Sequence, residues 1–126
     1  MKILVSMIVG LLLQSPAAPK KGGNPEAAKI KNPVAASADS TAAGKRVYTR
    51  MCSRCHGPEG KGDGTAATAP VPDLTDAKWD YGGSDGEIFA VVHDGVSADM
   101  DGYAARLSDT DIWNVVNYVR SVAAKP

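Results

Sequence analysis

The strongest periodicity lies near the end of the chain, where Ile112, Val115, Val116, Val119 and Val122 recur at helical spacing. That period overrules the strand preference of so many β-branched residues. Ser108-Asp109-Thr110-Asp111 precedes them as a near capping box, with Ser108 as N-cap and acids in the first turn, where the helix dipole favours negative charge. Arg120 and Lys125 suit the opposite end. A middle helix is marked by the capping box Ser84-Asp85-Gly86-Glu87, continues through Ile88, Phe89, Val91 and Val92, and stops at Gly95. An earlier helix is predicted from about Ala42 to Ser53, with Val47 and Met51 on one face. Gly44 and Tyr48 also share a face, and a glycine there lets a second helix approach closely. Strand signals are few, so the pattern predicts a mostly helical domain.

The N-terminal part reads differently. After Met1-Lys2 the chain is apolar from Ile3 to Leu13 except at Ser6 and Gly10, and small residues follow in Gln14-Ser15-Pro16-Ala17-Ala18. This predicts a secretory signal peptide over 1–17. The run is shorter than the about 20 apolar residues a bilayer span requires. Cleavage after Ala17 leaves an exported, periplasmic protein with no stable membrane span; an uncleaved segment would be an anchor. Residues 18–40 are rich in Pro, Ala, Lys, Gly and Ser, with Ile30 and Val34 the large apolar side chains. So little apolar surface cannot offset ordering entropy, which predicts a flexible linker kept in solution by Lys20, Lys21, Lys29 and Lys31. Residues 41–126 form the one domain.

Charge narrows the partners. The chain is formally neutral, but residues 41–126 carry nine Lys/Arg against twelve Asp/Glu, a mildly acidic balance that argues against nucleic acid. A domain this small has a marginal core unless a staple or cofactor completes it. The chemistry that supplies one is Cys52-Ser53-Arg54-Cys55-His56, which uses both cysteines of the chain. Thiols at this spacing add across the vinyl groups of a haem, and the histidine that follows is held beneath the iron. A thioredoxin-like dithiol needs a βαβ context that is missing here, and a zinc site needs four ligands where the chain offers two Cys and two His. The segment from Gly57 to Gly83 is long for a loop in so small a domain, but one wrapped over a cofactor has a packing surface.

Taken together, these features resemble the class I cytochrome c family over about Thr41 to Val122. The resemblance rests on Gly44 and Tyr48, the Cys52–Gly57 motif, Gly60-Lys61-Gly62-Asp63-Gly64, Pro72-Asp73-Leu74, Met100, and the closing helix through Tyr118-Val119-Arg120. It implies an all-α fold wrapped around one covalent haem c, with the first and last helices crossing where Gly44 and Tyr48 meet Tyr118. It also implies that Leu74 packs on the haem and that the Pro72 carbonyl, or failing that Pro70, accepts from the free ring nitrogen of His56. That bond would fix the ring and tune the iron. Trp79, Tyr81 and Tyr103 are candidates to reach the propionates.

The second axial position is narrower than it first looks. Met51 directly precedes Cys52 and is tied to the proximal side, which leaves Met100, His93 or no protein ligand. A methionine between Asp99 and Asp101 is an odd core residue. The resemblance assigns the position to Met100, with Tyr103 as the aromatic three residues on; the family's proline after the methionine is replaced by Asp101. The function implied is a periplasmic single-electron carrier, not an enzyme, that exchanges electrons with redox partner proteins. Two alternatives are a haem enzyme or gas- or peroxide-reactive sensor with a labile distal site, and an electron-transfer subunit of a larger oxidoreductase.

Overall fold

A computed structural model describes residues 15–125; the expected signal peptide therefore falls almost wholly outside the described residues. Five helices follow one another among the described residues: α1 (Pro25–Ala28), α2 (Ala38–Met51), α3 (Ser53–His56), α4 (Asp85–Asp94) and α5 (Asp109–Val122). Among the described residues there is no strand, only an isolated bridge between Gly95 and Asp101.

Both later helices begin where their caps predict. Ser84 accepts from the Glu87 N–H while the Glu87 side chain accepts from the Ser84 N–H, a complete capping box. Ser108 accepts from Asp111. The first long helix starts earlier than its periodicity suggested, at Ala38 rather than Ala42, because Ser37 caps it by accepting from Ser40.

Helices α2 and α5 make the core. They cross at Gly44, where an added Cβ would collide with the Asn114 carbonyl and the Tyr118 side chain. Tyr48 and Tyr118 pack 5.1 Å apart beside the crossing. Val47, Val115 and Val119 complete that cluster, and Met51, Cys52, Leu74 and Trp79 pack on its edge. A second cluster joins α4 to α5 through Ile88, Trp113 and Val116, with Phe89 stacked on Trp113 at 4.0 Å.

The segment expected to be a flexible linker is a docked arm. Asn24 caps α1, donates from its side chain to the Pro16 and Ala18 carbonyls, and donates its backbone N–H to Glu87. Ala27 is fully buried, and its carbonyl lies against Gly86, where a side chain would not fit. Asn32 donates to Asn117, which in turn donates to Val34 O and Ser40 Oγ. The arm docks through backbone and amide groups rather than apolar bulk. A composition argument about burial therefore misreads it.

A candidate haem crevice

Helix α2 ends at Met51, and the chain turns at Cys52 into the single turn of α3. This break brings Cys52, Cys55 and His56 to one side of the domain. The carbonyls of Arg54 and His56 are then taken by the loop that follows, Ala66 N–H donating to Arg54 at 2.9 Å and Gly62 N–H to His56 at 2.8 Å, while the Tyr48 hydroxyl of α2 donates to Gly57 at 2.6 Å. Gly62 has φ +77°, and a Cβ there would run into the Val71 carbonyl. Only glycine accepts both conditions. The loop from Gly57 to Gly83 is thus hydrogen-bonded to the cysteine segment at one end and returns as a wall through Pro70, Pro72 and Leu74.

That wall closes a cavity of about 380 Å³. Cys52, Cys55 and His56 line it together with Met100, Pro72 and Leu74, so all six candidate site residues meet in one place. Trp79, Tyr81 and Tyr103 line it as well, as do Met51 and Pro70. His93 does not. Its Nδ1 lies 2.7 Å from Asp94 and its Nε2 3.6 Å from Asp109, with its ring stacked on Phe89.

Burial sets the electrostatics. The His56 imidazole is held below its usual range by desolvation, which keeps it neutral and able to ligate. As a free thiol Cys52 is pushed up to about 11, by burial first and the neighbouring Cys55 second. The two cysteines are not bridged to one another. The hydrogen bond expected between His56 and Pro72 is not made: His56 Nδ1 is buried without a partner among the described residues. The neighbouring backbone at Val71 and Pro72 instead lies over Gly62. An unpaired buried nitrogen costs about 1–3 kcal/mol and asks for an explanation. A group ligated at the ring's other nitrogen would provide one by fixing the orientation of the ring. An apolar slot holding two thiols, a neutral imidazole and a thioether fits a haem c.

The back wall was not legible from sequence as part of the site. Ile88, Val91 and Val92 of α4 line the cavity alongside Val115 and Val119 of α5. The helical period of Ile88, Val91 and Val92 was the available signal, but such a stripe reads equally as core. Nor did any pattern mark Thr68, whose hydroxyl donates to Asp99 at 3.0 Å across the cavity mouth.

Solved structures place the fold. The chain matches a chain of the Kuenenia stuttgartiensis reducing HAO-like protein complex with a TM-score of 0.67 and 28% identity, over 75% of this chain and 50% of that one. It matches cytochrome c6 of the diatom Phaeodactylum tricornutum with a TM-score of 0.55 and 29% identity, over 66% and 93%. The fold is that of a class I c-type cytochrome, an electron-transfer domain. A family profile described as cytochrome c oxidase, cbb3-type, subunit III matches residues 39–119, and the chain belongs to that family. The cbb3-type cytochrome c oxidase subunit CcoP of Azospirillum sp. (strain B510) is 34% identical over 93 residues, 72% of this chain and 31% of the relative. The chain spans about three tenths of the length of the curated relatives it matches. Among the described residues no helix is long and apolar enough to cross a membrane.

Proposed function

We propose that this domain holds one haem c through thioether links at Cys52 and Cys55, with His56 and Met100 axial, and carries single electrons between partner proteins in the periplasm. The observation that carries the reading is the convergence of those four side chains on one apolar cavity, with His93 turned outward. When bound, the haem supplies the one-electron chemistry. The chain does the rest. Its cysteines fix the macrocycle, His56 stays neutral through burial, and Leu74, Trp79 and Val92 shield the crevice from water. Ligation by a thioether favours the ferrous state over the alternative of a second imidazole. With both axial positions taken by side chains, none is left for a substrate, so the domain is a carrier rather than an enzyme. The sensor alternative wants an acid–base group on the distal side. The remaining histidine does not line the cavity.

Asp99 and Asp101 stand beside Met100 at the cavity mouth, which suits partners with basic residues around their own redox centres. The oxidase-subunit names of the relatives favour a second reading, in which the domain passes electrons within a larger oxidoreductase. Co-purification with such an assembly, at natural expression level, separates a subunit from a diffusing carrier.

Two substitutions test the site. Cys52→Ala with Cys55→Ala is expected to abolish haem retention after denaturation and leave the domain largely unfolded. Met100→Ala is expected to lower the reduction potential and let carbon monoxide bind the ferrous protein. Carbon monoxide binding equally fast to the unmodified protein would sink the His/Met assignment.

A further inference from the structure

The loop that presents Met100 lacks the proline that would stiffen it, and its internal hydrogen bonds show what replaces that constraint. Val96 N–H donates to the Met100 carbonyl at 2.9 Å, Ser97 N–H does so at 3.3 Å, and the Met100 N–H donates to Ser97 Oγ at 3.2 Å. Met100 is therefore the hub of a closed turn. The base of that turn is fastened to α4, where Tyr103 N–H donates to Val92 O at 2.9 Å and Ala104 N–H to His93 O at 3.2 Å. These bonds fix the shape of the turn. They do not fix its distance from the cysteine segment across the cavity.

Two side-chain bonds cross it: Thr68 of the facing loop donates to Asp99, and Tyr103 reaches the end of α2 itself. The Tyr103 hydroxyl donates to the Met51 carbonyl at 3.0 Å, spanning 52 positions of sequence. Met51 is the last residue of α2, and carbonyls in a last helical turn have no partner within the helix. The break at Cys52 gives each of three such carbonyls a different solution: Tyr48 O accepts from the Cys52 N–H, Thr49 O from the Ser53 hydroxyl, and Met51 O from Tyr103. The acceptor is thus adjacent in sequence to the first haem-attaching cysteine, and the donor is three residues from the distal ligand. The ring itself is held in place by the Arg106 guanidinium, 4.1 Å from its centroid, which also donates to the Gly102 carbonyl at 3.3 Å.

We propose that Tyr103 is a positioning residue, a latch whose hydroxyl ties the Met100 turn to the end of α2 and so holds the Met100 sulfur against the haem iron. The inference rests on the His56/Met100 reading above. With the hydroxyl gone the ring still packs, but the turn has lost its tie to the end of α2, keeping across the crevice the exposed Thr68–Asp99 bond, and the Met51 carbonyl is left short of a donor. Loss of one such bond shifts an opening equilibrium by roughly tenfold.

The test compares holoprotein with Tyr103→Phe, which keeps the ring beneath Arg106. Expected is carbon monoxide binding to the ferrous protein that is about tenfold faster. The far-red iron–thioether band of the ferric protein should vanish on warming well below the temperature at which far-UV ellipticity is lost. A purely structural tyrosine would lower both temperatures together, and that result overturns the latch. So does a Tyr103→Phe protein with the unmodified carbon monoxide rate, while Met100→Ala still opens the iron; the ligand reading then stands alone. Absence of the far-red band in the unmodified protein removes both. Arg106→Gln, which spares the hydroxyl, is expected to change the rate less than Tyr103→Phe, and a larger change would contradict the assignment to the hydroxyl.

Discussion

Tyr48 and Gly44 show how few side chains decide the geometry of the crevice. Tyr48 is almost wholly buried, and its hydroxyl reaches the Gly57 carbonyl directly after the haem motif. Burial, then the neighbouring Cys52, pushes its ionisation well above the ordinary phenol range, so it remains a donor at any physiological pH. Tyr48→Phe leaves that carbonyl with only the longer bond from the Gly60 N–H, at 3.2 Å, and is expected to cost about 0.5–1.5 kcal/mol in chemical denaturation of the holoprotein. Gly44 acts by what it lacks. An added methyl would press on the Asn114 carbonyl, so Gly44→Ala is expected to destabilise by about 1–3 kcal/mol, as overpacking does. An unchanged denaturation midpoint for Gly44→Ala would mean that the helices do not meet there. Both residues could be picked out in the sequence, because a glycine and an aromatic four apart on one face mark a close crossing.

At the scale of elements the N-terminal arm is the surprise. It fastens to α4 through Asn24 and Glu87 and to α5 through Asn32 and Asn117. Since α4 also lines the cavity, the arm braces the back wall of the crevice. Asn117→Ala removes partners for Asn32, Val34 and Ser40. It is expected to speed tryptic cleavage at Lys29 and Lys31 severalfold, with the haem spectrum intact; unchanged cleavage would show that the arm is held by other contacts. Acid offers a second handle. Burial pushes the Glu87 carboxyl up, but donation from the Ser84 hydroxyl and backbone and from Asn24 outweighs it and holds the group below its ordinary value. A depressed folded value means the stabilisation is complete above the unfolded value, near about 4.3, and is lost as pH falls through the folded one. Hydrogen exchange in residues 22–30, corrected for its intrinsic pH dependence, should therefore show steady protection from pH 7 to about 5 and loosening in stronger acid. Glu87→Gln should flatten that response; a native-like loosening in the variant would assign it to another group. The caps of α4 and α5 were legible because Ser84 and Ser108 advertise themselves, whereas the arm was not. Its anchors are carbonyls, asparagines and a helix glycine, residues that composition assigns to loops.

For the whole molecule, the sequence disclosed the site better than its surroundings. Cys52, Cys55 and His56 are adjacent in the chain and announce their chemistry, while Met100, Pro72 and Leu74 converge on them only through the fold. The bond from His56 to Pro72 was expected and is not formed, since a ring's orientation depends on what holds its other nitrogen. Asp101 stands where the family has a proline, and the Met100 loop is held instead by hydrogen bonds inside the turn and by the Tyr103–Met51 bond across the crevice. The measurement that bears most directly on a His56/Met100 haem carrier is an absorption spectrum of the purified protein, oxidised and then reduced, followed by denaturation. A haem that stays attached to the denatured chain, with a far-red thioether band in the ferric state, is expected. A covalent haem without that band would contradict Met100 ligation and return the distal site to peroxide or gas chemistry.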